Sequence, residues 1–296
     1  MGPLRDWLVL FRAGNCITGF VGVFLGAILT LEDLPTGNNL SITTLLALSV
    51  YSFMASWNAL NDYLDLEIDK INRPDRPLPS GRINKTVAMT AIITGCIISF
   101  GSLFLAGLIA NDMTNNFEDW YPTIFIWFLA LALLLNYEDD RVLLGLKNRG
   151  LPGNLAISIS VGLVVLFGAA GIFDPFNERA VSLFVIGTLY NLSREIIKDV
   201  EDMDGDKGRN TYAMRVGADK ARLTSWVILL ITLVALLTPF TMGIFELVHI
   251  IFLAPGLFTL MAVKKHIYLA EDTTASKMIK ISMTLTMMGL ILAALM

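Results

Sequence analysis

Backbone amides cannot be left unbonded in lipid, so a chain that stays apolar over the thickness of a bilayer must cross it as helix. Nine stretches of this sequence do so, near residues 13–31, 42–61, 86–110, 121–136, 151–173, 180–198, 222–241, 244–263 and 278–296. Apolar residues make up 55% of the 296 and charged residues only 16%, where a soluble domain carries about 25% charged residues. The expected fold is all-α: a polytopic membrane protein with nine transmembrane helices around a central cavity. Neither a linker nor a low-complexity segment divides the chain, so residues 1–296 read as a single transmembrane domain.

Loop charge sets the orientation, because Lys and Arg collect on the cytoplasmic side. With nine alternating spans, 21 of the 22 basic residues fall on one side and Arg179 alone on the other. One missed span would scramble this pattern. An integral protein of the cell membrane is expected, N-terminus inside and C-terminus outside. Cys16 and Cys96 lie within apolar stretches and read as free buried thiols, not a disulfide framework. Nothing after the first span looks like a signal-peptide cleavage site.

Two acidic rows end hydrophobic helices on the basic side. The first runs from Asn58 through Asn61, Asp62 and Asp65 to Asp69. The second runs from Arg194 through Lys198, Asp199, Glu201 and Asp202 to Asp206. Asn61, Asp65 and Asp69 are four apart and share one helix face, as do Asp202 and Asp206, with Asp199 close by. Carboxylates beside lipid need partners. Two facing rows point to bound divalent metal, and metal at a membrane surface points to a phosphate-bearing substrate. Bases follow the acids at once: Lys70, Arg73, Arg76 and Arg82 after the first row, Lys207 and Arg209 after the second. Metal ions and Arg or Lys together neutralise phosphate oxygens. The rows follow the second and sixth spans, so the chain reads as two related four-helix halves plus a ninth helix. Coincidence is the plainer alternative.

Other readings meet obstacles. Glu67, Asp75 and Asp204 fit a solvated face. An EF-hand starting at Asp202 would put Lys207 where glycine is needed and Ala213 where glutamate is needed. A Walker-type phosphate loop is absent. His249 and His266 are too scattered for a metal site. Gly22 and Gly26, with Gly19 nearby, form a small-residue stripe suited to close helix packing.

The run Asn61-Asp62-x-x-Asp65-x-x-x-Asp69, followed by Asn72-Arg73-Pro74-x-Arg76-Pro77-Leu78-Pro79-Ser80-Gly81, resembles the first signature of the UbiA superfamily of intramembrane prenyltransferases. Asp199-x-x-Asp202-x-x-x-Asp206 resembles the second. Motif separation and span number match too, so the likeness covers essentially the whole chain. Arg194-Glu-Ile-Ile-Lys198-Asp199, Gly205-Asp206 and the start Arg12-Ala-Gly-Asn15-Cys16 resemble archaeal members that prenylate a glycerol phosphate lipid. The chain departs from common family wording at Ala13, where proline often stands, at Leu143, where a tyrosine often precedes the loop lysine, and at Ala213-Met-Arg215.

The resemblance implies Mg²⁺ held by Asn61, Asp62, Asp65, Asp69, Asp202 and Asp206. It implies phosphate contacts from Asn15, Arg73, Arg76, Arg82, Lys147, Arg194 and Lys198, without dividing them between two phosphates. Asp65, Asp69, Asp199 and Asp202 are the expected catalytic group, with Asp199 or the leaving diphosphate taking the acceptor's proton. The implied reaction moves a geranylgeranyl group from a prenyl diphosphate donor to the free hydroxyl of a prenylated glycerol phosphate acceptor, with membrane lipid around it and no nucleic acid involved. Rivals are an aromatic acceptor (a quinone, haem or chlorophyll precursor) and an ion-coupled transporter. Halves offset by four helices are parallel repeats, and the acids gather at one surface, both of which speak against the transporter.

Overall fold

The structure is a computed structural model that describes residues 2–138, 144–203, 205 and 210–296. Twelve α-helices follow in order: α1 (Pro3–Leu10), α2 (Ala13–Leu31), α3 (Gly37–Leu64), α4 (Leu66–Asn72), α5 (Lys85–Thr114), α6 (Tyr121–Glu138), α7 (Leu151–Ala170), α8 (Glu178–Glu201), α9 (Tyr212–Val216), α10 (Ala218–Thr241), α11 (Ala254–Tyr268) and α12 (Asp272–Leu295). Tight 3-10 turns at Phe117–Trp120, Leu146–Asn148 and Leu247–Leu253 lead into α6, α7 and α11. Among the described residues there is no strand, and nine helical spans are long and apolar enough to cross a membrane. They are α2, α3, α5, α6 with its turn, α7, α8, α10, α11 with its turn, and α12. These match the nine apolar stretches, although α3 and α5 run several residues beyond the lipid-length core of each.

Boundaries follow local chemistry. Asn84 and Asn177 cap α5 and α8 by accepting the N–H groups of Thr86 and Arg179, which satisfies donors the helix cannot. Arg12 and Glu32, both with left-handed backbone, bracket α2. Such a conformation is uncommon outside glycine, and at Arg12 it separates the short amphipathic α1 from the first span.

Small residues set the centre. A side chain on Gly26 would run into the Val165 carbonyl, and one on Gly168 into that of Val23. The backbones of α2 and α7 therefore touch reciprocally, and Gly22 of the same stripe lies against Val164. Buried hydroxyls pin α8 to its neighbours. Ser193 and Ser225 exchange hydrogen bonds between α8 and α10. The Tyr190 hydroxyl meets Ser282 at 2.9 Å and Thr286 at 3.2 Å on α12. Around them Leu25, Val165, Leu183, Ile186 and Leu229 form the larger apolar core.

Arg179, expected to be the lone base of its side, ion-pairs with Glu32 at 2.6 Å and stacks over Phe245. One cysteine expectation is corrected. Cys16 is buried, but Cys96 is exposed, because α5 packs at the bundle's edge and turns much of its surface outward.

Candidate active site

A cavity of about 810 Å³ opens among α2, α3, α6, α7, α8 and α12. Its floor is apolar and aromatic. Phe53 lies between Trp57 and Trp127 at ring separations of 5.8 and 5.6 Å, and Phe167 and Met283 close the wall. Its mouth is charged, and both acidic rows reach it.

The first row stays on one face because the helical hydrogen bonding runs on through Asp65. Asp65 N–H donates to the Asn61 carbonyl (2.9 Å), Asp69 N–H to Asp65 (2.8 Å) and Arg73 N–H to Asp69 (2.8 Å). The proline-rich segment then turns back. Pro77 and Leu78 are buried, and Gly81 takes φ +74°, a backbone conformation that favours glycine. Arg76 is thereby aimed inward, at 2.6 Å from Asp69 and 3.0 Å from Asp62.

Other bases converge on the same row. Lys147, from the turn before α7, donates to Asp65 (3.3 Å) and Glu138 (2.8 Å). Glu138 in turn accepts from Asn61 at 2.7 Å. Arg12 reaches Asn61 (3.2 Å) and Asp62 (2.8 Å). Arg73 bonds Asp202 at 3.2 Å, so the two rows meet at the mouth. Behind Asp202, one oxygen of Asp199 accepts from the Asn154 amide (2.9 Å) and the Tyr212 N–H (3.3 Å). Arg194 and Lys198 share Glu195.

Asn15, Asn61, Asp65, Asp69, Arg73, Arg76, Lys147, Arg194, Lys198, Asp199 and Asp202 all line the cavity. Asp62 and Arg82 do not. Asp62 is buried between Arg12 and Arg76, where it orients those bases and offers no face to a metal. Arg82 is taken up by Asp6 (2.9 Å) and the Asp75 carbonyl (2.7 Å), away from the cavity. Asp206 lies outside the described residues. Glu67, exposed, is paired with Lys70 at 2.8 Å, which lowers its carboxyl below the usual range; it belongs to the solvated face.

Four lining residues lie outside the sequence motifs: Glu138, Asn154, Asn191 and Lys280. Glu138 reads as the first of a run of flanking acids, and Lys280 as part of a basic loop flank. A charge lying inside an otherwise apolar span was the available signal for Lys280.

Among the described residues no three His, Cys, Asp or Glu side chains gather as a ready-made metal cluster. The donor chemistry nevertheless suits a hard divalent cation, since Asn61, Asp65, Asp69 and Asp202 bring only oxygen and amide groups to one rim. The charges agree. Arg12, Arg73, Arg76 and Lys147 are bonded within a set that holds Asp62, Asp65, Asp69, Glu138 and Asp202. Each of these bases is already given to a carboxylate, so an incoming anion must compete with those acids unless cations join the rim.

An apolar cavity inside a bundle of helices long enough to cross a membrane, with a rim of both acids and bases, has the form of a ligand site. The chain belongs to the UbiA prenyltransferase family, whose family model matches residues 19–288. It is similar to a digeranylgeranylglyceryl phosphate synthase of Haloquadratum walsbyi, 33% identical over 257 residues, covering 86% of this chain and 82% of that one. A solved structure described as digeranylgeranylglyceryl phosphate synthase in membranes superposes with a TM-score of 0.72 at 26% identity, covering 100% of this chain and 99% of that one. The fold is shared with a UbiA homolog from Archaeoglobus fulgidus bound to GPP and Mg²⁺, with a TM-score of 0.61, 16% identity and 95% and 99% of the two chains covered. The chain is thus an integral membrane prenyltransferase.

Proposed function

We propose that this enzyme moves a geranylgeranyl group from geranylgeranyl diphosphate to the glycerol hydroxyl of geranylgeranylglyceryl phosphate, making the second ether bond of an archaeal membrane lipid. The observation that carries the reading is the meeting of both acidic rows, through Arg73 and Asp202, over a largely apolar cavity of about 810 Å³. The names of its relatives at about one-third identity support the glycerol phosphate acceptor.

The residues divide the work by chemistry. Arg73, Arg76 and Lys147 donate hydrogen bonds to the diphosphate as negative charge collects on it, and the acids that hold them keep those donors in place beforehand. Asn61, Asp65, Asp69 and Asp202 hold Mg²⁺ in this reading. When bound, it supplies Lewis-acid neutralisation of the leaving diphosphate. Phe53, Trp57 and Trp127 line the cavity and exclude water from it, and an aromatic ring beside the allylic cation would stabilise it by roughly 0.5–2 kcal/mol. Asp199, fixed by Asn154 and the Tyr212 amide, accepts the acceptor's hydroxyl proton. The new bond joins that oxygen to the prenyl carbon as the carbon–diphosphate bond breaks.

The mouth faces the cytoplasm in this reading, with the N-terminus inside and the C-terminus outside, supported by 21 of 22 basic residues on one side. Residues 1–296 act as one domain. The test is an assay of detergent-solubilised protein with labelled geranylgeranyl diphosphate and a panel of glycerol phosphate and phenolic acceptors. The expected product is the doubly prenylated glycerol phosphate. Label found only on phenols would overturn the acceptor, and no label on anything would overturn the reaction.

A further inference from the structure

Lys280 is a charge in the third turn of a membrane helix, half-buried against the cavity described above. Its hydrogen bond goes to the Asn15 side-chain oxygen at 3.0 Å, a neutral partner. Among the described residues no carboxylate pairs with it. On α8, which packs directly against α12, Arg194 lines the same cavity. Its Nε is buried without a hydrogen-bond partner, while its Nη1 is given to Glu195 at 3.1 Å. Glu195 is already shared with Lys198 at 3.0 Å.

The two walls of the cavity therefore differ. Around the first acidic row, Arg12, Arg73, Arg76 and Lys147 are each bonded to a carboxylate. On α12, Lys280 has no acid among the described residues, and on α8 Arg194 keeps a buried donor unmet. Like charges held together in a low-dielectric site repel, and a buried donor without an acceptor is costly. An anion with several acceptor oxygens relieves both at once.

We infer that Lys280 and Arg194, with Asn15 orienting the lysine, form a second anion subsite that takes the phosphate of the acceptor lipid and selects it over a neutral alcohol or a phenol. This rests on the proposed reaction and assigns its two phosphates to opposite walls. A phosphate monoester suits the pair, since arginine offers a planar fork of donors and lysine a compact charge.

The test uses the full-length protein, wild type, Lys280→Met and Lys280→Arg, each checked for monodispersity. Each is assayed with one donor against geranylgeranylglyceryl phosphate and its dephosphorylated alcohol. Lys280→Met is expected to raise KM for the phosphate acceptor about tenfold or more, the worth of a hydrogen bond to a charged group. It should leave KM for the donor at the wild-type value and erase the preference for the phosphorylated acceptor. Lys280→Arg should recover most of that preference. An unchanged acceptor KM, or a donor KM that rises in step, overturns the subsite. If the wild type prenylates no glycerol phosphate, the proposed reaction itself fails, and calorimetric binding of geranylgeranylglyceryl phosphate without donor then decides the subsite. Binding weakened by Lys280→Met upholds it; equal binding, or none, overturns it.

Discussion

Arg73 and Asp202 meet at 3.2 Å with 129 positions of sequence between them. The contact joins the ends of α3–α4 and α8 over the cavity. Both side chains remain well exposed, at 46% and 38%, so the pair contributes no more than about 1 kcal/mol to folding. Its value lies in placing a base and an acid where the proposed reaction puts the diphosphate. Asp202→Ala is expected to lower prenyl transfer roughly 10²-fold or more, the scale of losing a preorganised electrostatic group. The thermal midpoint should shift by no more than about 2–4 °C. Turnover and thermal unfolding on the same preparation check this, and near-normal turnover would remove Asp202 from the site.

Asp62 should behave in the opposite way. It is buried and holds both Arg12 (2.8 Å) and Arg76 (3.0 Å). Removing it leaves two guanidinium groups without their shared acceptor, at a cost of about 2–4 kcal/mol, below the deepest cases because Arg12 keeps access to solvent. Asp62→Ala should therefore lose both stability and activity, and Asp62→Asn should recover part of the stability. A normal unfolding midpoint in Asp62→Ala would show that the arginines find other partners.

The spans and their order were legible because bilayer thickness dictates length and apolarity, and nothing local competes with that demand. The face of Asn61, Asp65 and Asp69 was legible because helical spacing alone places it. What remained hidden depended on tertiary approach. Asp62 sits beside Asp69 on a helical wheel, yet Arg12 and Arg76 close over it, and neither approach is encoded in spacing. Glu138 looks like a solvated flank until the fold brings it 2.7 Å from Asn61, 77 positions away. Arg82 stands in a motif-like run but is turned outward by Asp6, which precedes the first span. Cys96 shows the limit for apolar stretches: membership of a span does not say which face meets protein and which meets lipid.

Gly26 and Gly168 allow α2 and α7 to touch backbone to backbone. A methyl group at Gly26 meets the Val165 carbonyl, and backbone cannot step aside as a flexible side chain would. Gly26→Ala is expected to cost about 1–3 kcal/mol through overpacking. Gly101→Ala, where nothing lies within 4 Å of the added carbon, should be neutral. Thermal unfolding of the two variants in one detergent provides the comparison, and equal midpoints would show that α2 and α7 separate freely.

Metal dependence follows from how the bases of the rim are paired. Arg12, Arg73, Arg76 and Lys147 are each bonded to a carboxylate among Asp62, Asp65, Asp69, Glu138 and Asp202. A diphosphate carries several negative charges, and bases already held by acids offer it little free attraction. Divalent cations bound to the oxygen donors would add positive charge and free those bases. Chelation with EDTA should therefore weaken donor binding as well as stop turnover, and added Mg²⁺ should restore both. Equilibrium binding of geranylgeranyl diphosphate, measured with and without Mg²⁺, separates this from a purely catalytic role. Equal donor affinity in EDTA would mean that the bases dissociate from their acids to receive the diphosphate unaided, and the carboxylates would then need another explanation.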